Sequence, residues 1–455
     1  MDWLRRLHGP IALHPASGCG NSRMDSQFRI RRGLVRRAAG VSTLLFSVIF
    51  SVHVAEPRRT LLDWVRETRA ARLKGDHRTW AEAGLRALEL APDHPDLLVS
   101  VARARAALGQ EQESLALLRQ AIRRGAGIDI PRVPQLRKLA PSPELLALSE
   151  DARKNLAPIP RAQLFALISG TTEPTEGIAY DPTPRRVFVG TNHGEILQAD
   201  ERGSVTVFVP RGSGLLEVLG LKVDVDRQLL WAVNGSFPDL LSRDPPKPEV
   251  GVAGVHAFHL ADGTVAAKYR LDERPILHGF NDLALARNGD VYITDSAEGA
   301  VYRVHAGKLA LFVRDERLTI ANGIVLAPDQ KRLYVASVEG ISLVDTRTRK
   351  VERLTVPEDA SVNSIDGLAY YRGDLIGVQS SPYLARVVRI ALASDGRSVK
   401  RVTTINSRSP PEYSQTTAAV AGDQLYVVGG APANDTAGAP LAKEPKPQIV
   451  RIPLQ

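Results

Sequence analysis

The sequence predicts a mostly β chain, a six-bladed β-propeller preceded by a small α-helical module. Three observations carry this. Short alternating apolar runs recur as six similar units across 165–455, residues 57–155 have helical spacing with a 34-residue period, and the Pro-bearing "APIPRAQ" lies between the two, in a linker over 156–164. A chain of 455 residues has room for two or three domains, and 44% apolar with 24% charged residues fits a soluble globular core.

Residues 1–55 read as a targeting segment. In "RIRRGLVRRAAGVSTLLFSVIFSVHVAEP" a basic stretch runs into an apolar run at 41–54, and Ala55 follows as a small residue suited to cleavage. The run is short for a membrane span, so a signal peptide over 29–55 is expected, and only an uncleaved segment would tie the chain to a membrane. Arg31-Arg32 is compatible with twin-arginine export. Translation from Met24 would omit 1–23 and with them Cys19, the sole cysteine. The exported chain would then have no disulfide, thiol nucleophile or Cys-ligated zinc, and the expected location is periplasmic or extracellular.

The formal net charge of +9 is concentrated in that segment. It holds eight arginines against two aspartates, leaving 51 basic against 48 acidic residues in the rest. Without a basic stripe interleaved with aromatics, nucleic acid is excluded as a partner.

In the helical module, Gly75 and Gly109, Ala87 and Ala121, and Leu88 and Ile122 are each 34 residues apart. That is the period of tetratricopeptide repeats, with small residues where helices pack closely and "APDHP" stopping one helix and starting the next. Two such repeats with a helical extension to about residue 155 are too few to stand alone, so packing on the neighbouring domain or a protein partner is expected.

The six propeller units begin "TEGIAYDP", "LGLKVDVD", "FNDLALARNGDVYITD", "ANGIVLAPDQKRLYVAS", "IDGLAYYRGD" and "TTAAVAGD". Each has a polar or glycine opening, an alternating strand, a tight turn and further strands. The opening positions Glu176, Gly220, Asn281, Asn322, Asp366 and Thr417 follow at 44, 61, 41, 44 and 51 residues. The long second unit carries "SFPDLLSRDPPKPEV", a Pro-rich loop expected above one face. The terminal "QIVRIPLQ" is expected to pair with "AQLFALIS" at 162–169 and close the ring.

Innermost strands line a propeller's channel, so equivalent positions converge on its axis. Glu176, Asn281, Asn322 and Asp366 bring two carboxylates and two amide oxygens, a hard-ligand set suited to Ca²⁺, with Mg²⁺ or Mn²⁺ as alternatives. Asn and Asp before glycine are also ordinary turn formers, but their recurrence at one phase of the repeat favours ligation. No His or Cys shares the positions, which disfavours zinc. His278, three residues before Asn281, reads either as a substrate-binding residue at the channel mouth or as a hydrogen-bonded loop residue. His193 and Asp295 read as turn and strand-capping residues. No G-x-S-x-G nucleophile and no phosphate-binding glycine loop is present.

These motifs resemble the gluconolactonase/regucalcin (senescence marker protein 30) family of six-bladed propellers. The resemblance implies a divalent-cation-dependent hydrolase of lactones or related esters. It carries the metal-ligand role to Glu176, Asn322 and Asp366, and a metal- or substrate-contacting role to Asn281. The second unit departs from the pattern with Leu219-Gly220. In the implied mechanism a bound cation polarises a carbonyl and acidifies water, with Asp366 as general base or acid or as a ligand only. The alternative function is a non-catalytic, metal-stabilised propeller whose helical module binds a protein.

Overall fold

The computed structural model describes residues 59–168, 176–239, 250–408, 414–430 and 447–455. The expected signal peptide, Met24, Cys19 and most of the Pro-rich insertion lie outside them. Thr60–Gln455 belong to one compact unit. No described helix is long and apolar enough to cross a membrane.

Helices α1 (Leu61–Lys74), α2 (His77–Leu90), α3 (Pro95–Ala107) and α4 (Glu111–Arg123) form two hairpins, followed by α5 (Pro143–Leu156). The starts of α1 and α3, and of α2 and α4, differ by 34 residues, so the sequence period corresponds to a repeated helical pair. Local chemistry sets the ends. Thr60 and Asp63 form a capping box on α1, Asp76 caps α2, Pro95 occupies the first turn of α3, and Ser142 caps α5. Gly75 (φ 71°) and Gly109 (φ 76°) take the left-handed conformation that ends α1 and α3. Ala87 and Ala121 are fully buried, and a Cβ on Gly84 would lie 2.5 Å from Val101 Cγ2, so small residues do set the α2–α3 spacing. Trp80 Nε1 donates to Ser100 Oγ (2.9 Å), tying the hairpins together.

Six four-stranded antiparallel sheets follow. Their inner strands are Ile178–Asp181, Glu217–Asp224, Phe280–Leu285, Ile324–Leu326, Ile365–Tyr371 and Ser414–Ala421. Apolar faces of adjacent sheets meet in separate cores, such as that of Phe280, Ile293 and Tyr302 with Val233 and Val255. In the third blade Asn288-Gly289 turns the hairpin, with Gly289 at φ 93°. The sixth blade is closed as expected. Gln163–Leu167 pairs antiparallel with Gln448–Pro453, so an N-terminal strand completes the C-terminal blade.

The linker is pinned to the fifth blade. Ile159 exchanges backbone hydrogen bonds with Ser407, and Asn406 Oδ1 accepts from the Arg161 and Ala162 amides. The helical module packs on the propeller through α3, which is buried on nearly every face. Its core takes in Ile320, Val338 and Tyr383 from the propeller and packs against Phe237 and Ala297. Asp96, in the first turn of α3, accepts hydrogen bonds from Ser364 Oγ (2.7 Å) and Ser381 Oγ (2.8 Å). Arg103 reaches the Tyr383 hydroxyl at 3.3 Å. The support anticipated for a two-repeat module comes from the module's own propeller.

Candidate metal centre at the covered end of the propeller

Strand register identifies the equivalent positions. Ile178, Leu221, Leu283, Ile324, Leu368 and Ala418 each pair with the second strand of their blade at the same level. One residue earlier stand Gly177, Gly220, Asp282, Gly323, Gly367 and Thr417. One earlier again stand Glu176, Leu219, Asn281, Asn322, Asp366 and Thr416. This corrects the sequence phase in two blades: Leu219 and Thr416, not Gly220 and Thr417, occupy the level of the four expected ligands. Bulges at this point in the second, third, fifth and sixth inner strands add a residue, which spacing alone does not register.

The glycine level explains how the inner strands converge. A Cβ on Gly177, Gly220, Gly323 or Gly367 would fall within 3.0 Å of backbone atoms in the next blade. Gly323 N donates to Asp366 O at 2.9 Å across that narrow gap. Where the level is not glycine, side chains make the link. Thr417 Oγ1 donates to Glu176 O, closing the ring. Asp282 Oδ1 accepts from Lys222 Nζ of the second blade (2.9 Å), and Oδ2 accepts from Ile324 N of the fourth (3.2 Å). Asp282→Ala is therefore expected to cost about 2 kcal/mol in urea unfolding by stranding both donors, with partial exposure of Lys222 limiting the ion-pair share. A loss below about 0.5 kcal/mol would show that the carboxylate is not the clasp described.

Above this level the four oxygen-bearing residues are each less than a tenth exposed. Asn322 Nδ2 donates to Asp366 Oδ1 (2.6 Å), and Ser380 Oγ donates to Asp366 Oδ2 (2.9 Å). Asn281 Nδ2 donates to Ser296 Oγ (3.3 Å), whose hydroxyl in turn donates to Ala321 O. Burial, reinforced by the negative charge of Glu176, pushes the Asp366 carboxyl up to about 7. Asn322 Oδ1 is buried with no hydrogen-bond partner. A buried acceptor without a donor, beside two carboxylates that repel one another, is an environment a hard cation would relieve. The donor set of Glu176, Asn322 and Asp366, with Asn281 on the neighbouring blade, fits such an ion. Among the described residues no group of three or more His, Cys, Asp or Glu could hold a metal, so amide oxygens must complete any set here.

Of the two readings of His278, the substrate-contacting one finds no exposed imidazole surface. The side chain is fully buried among Phe280 and Tyr302, its Nδ1 is 2.7 Å from Asp295 Oδ2, and its Nε2 is 3.3 Å from Glu273 Oε2. With both nitrogens engaged it braces the loop before the third blade, which is the hydrogen-bonded loop reading. Asp295 Oδ1 accepts from the amides of Gly279, Ala297 and Glu298, in keeping with a capping role. His193 is exposed in a turn.

Sequence reasoning did not single out Ser296 and Ser380, which orient Asn281 and Asp366. Their signal was the shared polar ending of the second strands, "YITDS", "YVAS" and "GVQSS". Nor did it place the helices over this end. Ile320 lies two residues before Asn322, Ser364 two before Asp366, and Ala297 next to Ser296. The module's core and Asp96 thus seat on the neighbours of three of the four candidates.

Fold and ring together define a β-propeller with a buried, oxygen-rich ring of side chains at one end of its axis. Residues 174–369, from the first blade into the fifth, match the family described as the SMP-30/Gluconolactonase/LRE-like region. Among solved structures, the chain is similar to a calcium-binding protein, regucalcin, from Agrobacterium tumefaciens, at 15% identity and TM-score 0.44, covering 64% of this chain and 93% of that one. A putative gluconolactonase is 16% identical at TM-score 0.44, covering 64% and 91%. The PQQ-bound aldose sugar dehydrogenase of Streptomyces coelicolor is 15% identical at TM-score 0.43, covering 65% and 99%. No curated protein matches the sequence.

Proposed function

We propose that the protein is an exported, divalent-cation-dependent hydrolase of lactones or related esters. The observation that carries this reading is the orphaned Asn322 Oδ1 beside Asp366 and Glu176 in a buried ring, within the stretch that matches the lactonase-type family. Glu176, Asn322, Asp366 and Asn281 would hold the ion, with Ca²⁺ preferred and Mg²⁺ or Mn²⁺ as alternatives. Once bound, the ion polarises a substrate carbonyl and acidifies water. Asp366, with its orientation fixed by Asn322 Nδ2 and Ser380 Oγ, would serve as a ligand or as the carboxylate that accepts a proton from water. Asn281, steadied by Ser296, offers its amide oxygen to the ion or a hydroxyl of the substrate. Export rests on the basic and apolar pattern of 29–55.

The helical cover favours a second reading, a non-catalytic propeller in which the ion stabilises the ring and the module serves a protein partner. Both are tested on chelator-treated protein, using calorimetry with Ca²⁺ and a panel of lactones and aryl esters. Hydrolysis restored by Ca²⁺ supports the first reading, and hydrolysis that survives full chelation refutes it. Tight Ca²⁺ binding without turnover selects the second.

A further inference from the structure

A second chargeable site lies away from the axis, in a cleft of about 230 Å³ between the end of α4 and the fifth blade. Its charged lining is Arg123, Arg124, Arg386, Lys400 and Arg401, against a single carboxylate, Asp359. No described carboxylate forms an ion pair with any of the five cations, whereas arginines such as Arg186, Arg274 and Arg389 are paired. Arg386 is the most enclosed of the five, half-buried by surface area with its guanidinium turned inward. Its Nε donates to Gln379 Oε1 (2.6 Å), and its Nη2 donates to Arg124 O (3.3 Å). Room for the guanidinium is made by Gly125, where φ is 94° and an added Cβ would lie 2.3 Å from Arg386 Nη1. Arg124 Nε is buried with no partner. Desolvation, with no compensating acid, holds the Arg386 guanidinium down at about 10.

A largely desolvated guanidinium normally has a carboxylate or another anion beside it, because its desolvation is otherwise unreturned. Guanidinium forks match tetrahedral oxyanions in geometry as well as charge, and ammonium groups add field strength at the rim. The cleft is large enough for a phosphate and a small organic body. We propose that this seam binds a phosphate monoester dianion, held by Arg386 and Arg124 within and by Arg123, Lys400 and Arg401 at the rim. Because the cleft is walled by both the module and the fifth blade, occupancy also fastens the helical cover to the propeller. The site is independent of the proposed hydrolase reading.

The test is thermal unfolding of the full chain titrated with inorganic phosphate, ionic strength being balanced with chloride. A saturable rise in Tm with phosphate and none with chloride is expected. The double variant Lys400→Gln/Arg401→Gln changes only exposed side chains, so its Tm without phosphate should match wild type. Its phosphate midpoint should rise about tenfold. Arg386→Met should abolish the saturable response. A phosphate response no greater than that of chloride, or a double variant with the wild-type midpoint, would overturn the proposal. Co-sedimentation with phosphatidic acid vesicles, competed by inorganic phosphate, assigns the anion to a lipid headgroup. Thermal response without co-sedimentation assigns it to a soluble phosphate.

Discussion

Asp366→Asn is expected to weaken Ca²⁺ binding by at least about a hundredfold, since loss of even an outer partner of a metal ligand costs ten- to a hundredfold. It should also flatten the pH dependence of the metal-free protein. In the fold, the Asp366 carboxyl is raised from its ordinary 3.8 to about 7 by burial and by Glu176. The folded state therefore binds a proton that the unfolded chain has already released between those values. The Asp366 contribution to metal-free stability is fully present below pH 3.8, declines as pH rises, and is lost above about 7. A cation that neutralises Glu176 and Asp366 should return it. The check is Tm against pH in chelator, with and without Ca²⁺, for wild type and variant. A wild-type curve that stays level between pH 4 and 7, within the range the carboxyl spans, would dissolve the pairing of the two carboxylates.

Gly323→Ala is expected to be strongly damaging where the inner strands converge. The new Cβ would stand 2.6 Å from Leu368 N and 2.7 Å from Asp366 O, both backbone atoms that no rotamer change can move aside. The fourth and fifth blades would have to part, stretching the 2.9 Å hydrogen bond from Gly323 N to Asp366 O. A loss of about 3 kcal/mol is anticipated, at the upper end for overpacking, and Ca²⁺ affinity should fall with it because Asn322 and Asp366 flank the gap. Gly75→Ala is the contrast. It meets nothing within 4 Å but holds φ at 71°, so only the left-handed backbone penalty of about 1 kcal/mol applies. If the two variants were equally stable, close approach of the inner strands would not be what those glycines secure.

The repeat was legible because each inner strand begins with the same few residue types and alternates thereafter. That sufficed for blade number, for ring closure and for the level of Glu176, Asn281, Asn322 and Asp366. It did not suffice in the second and sixth blades, where a bulge beside Gly220 and Thr417 shifts the opening level by one residue to Leu219 and Thr416. Asp282, ambiguous as a string of letters, acquires its meaning only from Lys222 and Ile324, which lie 60 and 42 residues away. His278 was open to two readings because a lone imidazole carries no periodicity, and its partners Asp295 and Glu273 are fixed by tertiary packing. The cover was invisible for a similar reason. The helical pattern marks α3 as apolar, but which surface it covers depends on complementarity between Asp96 and two serines more than 260 residues further on.

The sixth blade has a consequence for synthesis. Its outer strand is made first, and its partner strand lies near the C-terminus, Gln163 and Arg451 being 288 residues apart. On a ribosome the ring stays open until Gln448–Pro453 has emerged, and the earliest strand of the propeller waits until then with an unpaired edge. A message truncated before Gln448 would yield five complete sheets and a sixth lacking the strand that joins Gln163–Leu167 to Gln424–Gly430, with loose strand borders on both sides. Such a product is exposed to proteolysis and to edge-to-edge association, whereas the finished chain is not. The late strand thus closes the ring and covers both of those borders at once.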